Sequence, residues 1–333
     1  MVAAPLVDGF GRVHRDLRIS VTDRCNFRCT YCMPAEGMRW MPREELLTFE
    51  EITRVARVCV EVLGIDSIRL TGGEPTVRAH LPVLVEQLAG LREGGRPLDL
   101  AMTTNGVSLR TMAGDLRAAG LDRLNVSLDT LRPDRFLELT RRDQLDAVLG
   151  GIDAAVAAGF SPVKVNTVVM RGVNDDELVD LAAFGRDRGV TVRFIEWMPL
   201  DAEERWADDA VVGQDEIVAA IGAVYPLAPV ARGSAPAERF VYRDGRGEIG
   251  VIPSVTHPFC GSCDRIRLTA DGQLRSCLFA VDEVDLRALL RGGADDAELA
   301  AAVRRCVADK WAGHLIGQVT FIRPRRSMSQ IGG

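Results

Sequence analysis

Nowhere in this chain does an apolar run approach the ~18 residues that a membrane-crossing helix needs, so no membrane span is expected. An excess of positive charge is also lacking. The 41 Lys and Arg against 47 Asp and Glu leave a net −6, which argues against a bulk electrostatic grip on nucleic acid. Met1 to Val7 has neither a basic start nor room for an apolar h-region, so no secretory signal peptide is expected. Eight cysteines in 333 residues are too few for a secreted disulfide scaffold. Clustered thiols without a leader suit metal binding in a reducing cytoplasm. No internal repeat or long low-complexity tract is present. Length and composition fit a globular protein of one large domain or two ordinary ones.

The most telling absence is a fourth cysteine. Cys25, Cys29 and Cys32 form a C-x3-C-x2-C group, and none follows nearby. A cubane iron–sulfur cluster has four irons, each normally held by a cysteine thiolate. Three thiolates leave one iron open to bind and activate a small molecule, whereas a structural metal site is usually closed by a fourth ligand. Two other readings stay open on spacing alone: zinc completed by a distant His, and buried thiols packed as small apolar groups. Tyr31 sits where its ring can flank a ligand on the open iron, and Pro34 follows closely.

The same deficit recurs at Cys260, Cys263 and Cys277, a C-x2-C-x13-C pattern. Here His257 could complete a Cys3His zinc site. Repetition of the deficit favours two clusters, each with one open iron. Cys59 and Cys306 fall on apolar helical stripes and read as core.

Short strands alternate with amphipathic helices over roughly residues 15 to 225. Strands are expected near Leu17–Val21, Ser67–Leu70, Leu98–Met102, Arg123–Leu128, Val163–Met170 and Thr191–Ile195. Thr48 and Glu51 announce the first helix with a capping box, and its apolar stripe runs Ile52, Val55, Ala56, Cys59, Val62, Leu63. Repeated βα units predict a parallel sheet. Six units are too few for a closed barrel, so the expected fold is α/β, a partial (β/α)6 TIM-like barrel. Residues 1–225 would form it, and a smaller C-terminal region, 226–333, would close its mouth. Polar residues gather where strands end: Thr71-Gly72-Gly73-Glu74-Pro75, Thr103-Thr104-Asn105-Gly106 and Asn125 to Asp129. Barrel active sites lie at such ends.

Basic residues interrupt apolar strands at Arg69, Lys164 and Arg193, and Arg18 precedes the first cysteine group. Arg265 and Arg267 project to one face if their segment is extended. Paired guanidiniums bind phosphate oxygens bidentately. An acidic chain that places cations on barrel strands is expected to line an anionic pocket with them, and a nucleoside triphosphate, at about −4, would warrant this many. The terminal Gly332-Gly333 can thread a passage too narrow for side chains, or be slack.

The cysteine loop and Gly-Gly-Glu-Pro resemble the signature segments of radical S-adenosylmethionine (SAM) enzymes. With Lys164 to Asp175, Phe259 to Thr269 and the Gly-Gly tail, the chain resembles the GTP 3′,8-cyclases of molybdenum cofactor biosynthesis from about Arg15 to Gly333. That resemblance implies two 4Fe–4S clusters, held by Cys25, Cys29 and Cys32 and by Cys260, Cys263 and Cys277. It implies that the first cluster cleaves SAM, and that the 5′-deoxyadenosyl radical takes the ribose 3′ hydrogen of GTP before C3′ bonds to C8. Tyr31, Gly73, Ser127 and Met198 would contact SAM, with Trp197 departing from the Tyr expected there. Arg18, Arg69, Thr104, Lys164, Arg193, Arg265 and Arg267 would contact GTP, with Arg265, Arg267, Gly332 and Gly333 serving the reaction. A homodimer, an electron donor and a downstream cyclic pyranopterin monophosphate synthase are implied as well. The rival expectations are a peptide-modifying radical SAM enzyme with an auxiliary cluster and a non-catalytic zinc-binding protein.

Overall fold

The computed structural model describes residues 5–200, 206–232, 235–319 and 321–332. Six strands appear where the sequence places them: β1 (Asp16–Ser20), β2 (Ser67–Thr71), β3 (Asp99–Thr104), β4 (Arg123–Ser127), β5 (Lys164–Val169) and β6 (Thr191–Glu196). Each pairs in parallel with the next, as crossover helices require.

The later chain extends both edges of this sheet. At one edge β7 (Leu227–Val230), β8 (Glu238–Tyr242) and β9 (Glu248–Ile252) are added, with β9 parallel to β6. At the other, β10 (Arg265–Leu268) runs parallel to β1, followed by β11 (Gln273–Arg275) and β12 (Val284–Asp285). The result is one 12-stranded sheet in the order β7-β8-β9-β6-β5-β4-β3-β2-β1-β10-β11-β12. Its ends stay apart, so it is an open barrel.

Alternation along each central strand separates two environments. Leu17, Ile19, Ile68, Leu70, Leu100, Met102, Val192 and Phe194 point outward and are buried. They pack beneath α1 (Phe49–Arg57), α2 (Leu81–Ala89), α3 (Leu109–Ala118), α4 (Pro133–Thr140), α5 (Leu145–Ala157) and α6 (Leu178–Arg188). Full burial of each such side chain contributes about 1.5–3 kcal/mol. The opposite face is polar and lines a cavity. Then come α7 (Gln214–Gly222), α8 (Leu286–Arg291), α9 (Asp296–Ala308) and α10 (Met328–Ile331).

The Thr48–Glu51 capping box forms, with Glu51 N–H 3.2 Å from Thr48 Oγ1 and Thr48 N–H 2.8 Å from Glu51 Oε2. The stripe that follows departs from expectation at Val62. From Val58 to Val62 the helix widens into a π turn, which rotates Val62 toward solvent at 40% exposure and keeps Cys59 inside. A short antiparallel ribbon, Leu6–Val7 with Val13–His14, packs against α9.

Candidate active site

The polar face of the sheet encloses a cavity of about 600 Å³, a size suited to a small-molecule ligand. Cys25, Cys29 and Cys32 reach it from the loop after β1, and Cys260, Cys263 and Cys277 from the loops before β10 and after β11. Because β10 and β1 are parallel with Arg265 opposite Asp16, the second set lies at the N-terminal end of these strands and the first at their C-terminal end. The two sets therefore face one cavity from opposite ends.

The first loop is held from two sides. Gly73 donates to Thr22 O at 2.7 Å and Glu74 N–H to Arg24 O at 2.8 Å. A Cβ on Gly73 would overlap the Arg24 and Asp23 carbonyls, and one on Gly72 (φ +148) would sit 2.5 Å from Thr22 O. Only glycines let these backbones meet. From the other side, Arg28 N–H donates to Thr140 O and Thr30 N–H to Leu139 O at the end of α4. Glu74 is wholly buried and accepts from Thr76 N–H, the Thr104 hydroxyl (2.6 Å) and Asn105 N–H (2.6 Å). Thr104 thus lines the cavity with its hydroxyl engaged. Tyr31 donates its phenol to Asp129 Oδ2 at 2.7 Å.

All six clustered cysteines are free of disulfides and partly buried, while Cys59 and Cys306 are buried in the core. Burial pushes the Cys25 thiol up to about 11 and the Cys32 thiol up to about 12. At Cys263 burial acts in the same direction, but Arg265 and Lys310 outweigh it and hold the thiol at about 7. Backbone N–H groups approach sulfur at Cys25 (from Phe27, 3.4 Å) and Cys277 (from Phe279, 3.5 Å). Among the described residues no three His, Cys, Asp or Glu side chains converge as they would on a single metal ion. A cubane spreads its thiolates over different irons. His257 is exposed beside Thr256, 3.2 Å from its hydroxyl, and His314 is the histidine that lines the cavity.

Between the two sets stands a wall of cations. Arg267, Arg18 and Arg69 occupy matched positions on β10, β1 and β2. Lys164 and Arg193 face them from β5 and β6. Burial, then repulsion from Arg267 and Arg265, lowers Arg18; burial lowers Arg69 as well. Burial and neighbouring cations pull Lys164 down to about 8 and Arg193 to about 9. The Nε atoms of Arg18, Arg69 and Arg193 are buried without hydrogen-bond partners. Asp16 Oδ1 lies 3.9 Å from the Arg18 Nε, too far for a hydrogen bond, so these donors suit an anionic ligand. Arg265 stacks over Phe259 at 4.6 Å, and Arg267 donates to the carbonyl of Gly332.

The chain's last segment reaches into the site. Gly332 is buried at φ +81, where a Cβ would overlap the Thr71 hydroxyl. Gly333 lies outside the described residues.

Against known proteins, a family model described as the Radical SAM superfamily matches residues 19–185. One described as Molybdenum Cofactor Synthesis C matches residues 190–316. The chain is 51% identical over 331 residues to a GTP 3′,8-cyclase of Streptomyces coelicolor, covering 98% of this chain and 96% of that protein. It is 51% identical over 335 residues to GTP 3′,8-cyclase 2 of Mycobacterium tuberculosis H37Rv, covering 99% and 92%. The chain belongs to the GTP 3′,8-cyclase family. Its fold is also that of Streptococcus suis SuiB bound to S-adenosylmethionine, with a TM-score of 0.62 at 13% identity over 94% of this chain and 77% of that one. The family's cofactors are SAM and two 4Fe–4S clusters, and two free three-cysteine sets on one cavity fit them.

Within this family site, Ser127 and Met198 line the cavity with Tyr31 and Gly73. Asn125 and Asp129, from the polar run at the end of the fourth strand, line it too, while sequence reasoning missed Asp16, Asp99, Arg123 and Asn166. Strand alternation could have found several. Asp16 is two before Arg18, Asn166 two after Lys164, and Arg123 four before Ser127. Asn125 accepts from Arg193 at 2.6 Å, and Arg123 pairs with Asp99.

Proposed function

We propose that this chain cyclises GTP to (8S)-3′,8-cyclo-7,8-dihydroguanosine 5′-triphosphate, the first step of molybdenum cofactor biosynthesis. The observation that carries the reading is one cavity with a three-cysteine set at each end and, between them, buried cations whose Nε atoms lack hydrogen-bond partners. Cys25, Cys29 and Cys32 hold one 4Fe–4S cluster, and Cys260, Cys263 and Cys277 hold the other. The chemistry supplied by the bound cofactors is reductive cleavage of SAM to a 5′-deoxyadenosyl radical that takes the ribose 3′ hydrogen.

The chain's own residues bind and orient. Tyr31, Gly73, Ser127 and Met198 frame SAM at the C-terminal end of the strands. Arg18, Arg69, Lys164, Arg193, Arg265 and Arg267 hold GTP, with Thr104 beside them. Repulsion among the cations of the cavity is offset by attraction when a triphosphate enters. Arg267, joined to Gly332, couples the tail to that site. The division near residue 226, into a barrel and a region with the second cluster and tail, belongs to the same reading. So do a cytoplasmic location, a homodimer, an external electron donor and a pyranopterin-forming synthase downstream.

The test is anaerobic reconstitution followed by iron, sulfide and product analysis with GTP, SAM and a reductant. About eight irons per chain are expected, four per cubane. Replacing Cys25, Cys29 and Cys32 with Ala should remove half and abolish both SAM cleavage and cyclisation. Iron content unchanged by the triple substitution would refute the ligand assignment. A colourless zinc protein would refute the function.

A further inference from the structure

Behind the second cysteine set lies a buried polar chain that the proposed reaction does not use. Lys310 follows α9 and is only 3% exposed. Its ammonium donates to Arg265 O at 2.8 Å and lies 3.5 Å from both the carbonyl and the sulfur of Cys263. It also lies 3.5 Å from Nδ1 of His14, which is fully buried in the N-terminal ribbon. His14 Nε2 is 3.1 Å from Asp8 Oδ2.

The donors and acceptors order themselves. An ammonium only donates, so Nδ1 of His14 accepts and Nε2 carries the proton toward Asp8. That tautomer is neutral. Burial and the Lys310 charge agree with this, pulling His14 down to about 4. Arg12 of the same ribbon pairs with Asp8 at 2.5 Å. It also donates to the carbonyls of Cys260 (2.7 Å), Trp311 (2.6 Å) and Ala312 (3.1 Å). One short ribbon thus reaches the backbone of two cysteines, one through Arg12 and one through Asp8, His14 and Lys310.

We propose that Lys310 is a positioning residue for the second cysteine set, locked by the Asp8–His14 pair, and that it holds Cys263 by carbonyl and sulfur while Arg12 holds Cys260. The proposal rests on the reading that these cysteines carry an iron–sulfur cluster. Hydrogen bonds to ligand sulfurs and nearby charge set the reduction potential of such a cluster. A cation beside Cys263 favours the reduced, more negative state. The role is electrostatic as well as geometric, which separates it from simple packing.

The test uses the full chain carrying Cys25, Cys29 and Cys32→Ala, so that only the second cluster is present. Iron and sulfide are measured after anaerobic reconstitution, and the cluster is titrated reductively with detection by electron paramagnetic resonance. Lys310→Met should lower the reduced-to-oxidised ratio at a fixed potential about tenfold, a shift of about 59 mV for one electron. Lys310→Arg should recover most of it. If Lys310→Met sheds its iron while Lys310→Arg keeps it, the positioning role is supported. An unmoved potential in Lys310→Met, or equal shifts in Met and Arg variants, would overturn the proposal alone. A background protein without iron would overturn the two-cluster reading and this proposal with it.

Discussion

Lys164 shows how the site's charge is set residue by residue. Burial first, and then Arg193, Arg123 and Arg69, bring its ammonium down to about 8. A bound triphosphate favours the charged form, so it raises this value in the complex. The sign follows: GTP affinity is full below about pH 8 and declines as pH rises above it, and binding near pH 8 takes up protons. Calorimetry without SAM, in two buffers of different ionisation enthalpy, reads that uptake directly. Lys164→Arg should bind with much smaller uptake near pH 8, and an unchanged proton count would remove Lys164 from the triphosphate's neighbourhood. Arg265 and Arg267 sit on alternate positions of β10 and are expected to matter more for GTP than for SAM. Changing either to Ala should weaken GTP binding by about 1.5–3 kcal/mol, with SAM binding nearly unchanged in equilibrium titrations. Equal losses for both ligands would indicate a damaged fold.

The last element, α10 with Gly332, is a strap across the end of the cavity that carries the first cysteine set, and it reaches Arg267 on β10. Arg326 anchors it to Asp271 (2.9 Å) and Glu283 (2.7 Å). Ser327 and Ser329 lie against Met38 sulfur at 3.3 and 3.6 Å, in the loop after the first cysteines. Gly332 then meets Thr71 and hands its carbonyl to Arg267. A side chain at Gly332 must displace the strap, both by overlap and by its positive φ. Gly332→Ala should therefore cut cyclisation at least about tenfold, ~1.4 kcal/mol in barrier, with iron content and GTP affinity held. Full turnover by this variant would show the tail to be slack. The composition of the tail hinted at this role, but its anchors were not legible. Asp271, Glu283 and Met38 are distant in sequence and carry no motif. The π turn at Val58–Val62 was hidden for the opposite reason, since its local sequence still reads as a regular helical stripe.

For the whole molecule, the open barrel was legible because each central strand carries its own alternation. Leu17 and Ile19 face the helices while Asp16 and Arg18 face the cavity. The edge strands were less so, because β9 and β10 reach opposite ends of the sheet through long-range pairing that no local pattern encodes. What the assembled sheet creates is a repulsive interior. Arg18, Arg69, Lys164, Arg193 and Arg267 are all pulled down by burial, and neighbouring cations add to the shift at Arg18, Lys164, Arg193 and Arg267. This cost falls on the folded state alone. A polyanion that binds only the folded chain offsets it, by about 2.7 kcal/mol at a hundredfold excess over Kd. Inorganic triphosphate should therefore raise the thermal midpoint of the ligand-free chain in a saturable way, as GTP does, while guanosine at the same concentration does little. Arg69→Met keeps most of the side-chain volume and removes one charge. It should leave the ligand-free chain at least as stable as the parent, because the desolvation cost of a buried charge is removed, and should blunt the response to triphosphate. A variant that is less stable yet responds fully would mean that Arg69 serves packing, and that the charge holding the polyphosphate lies elsewhere on the wall.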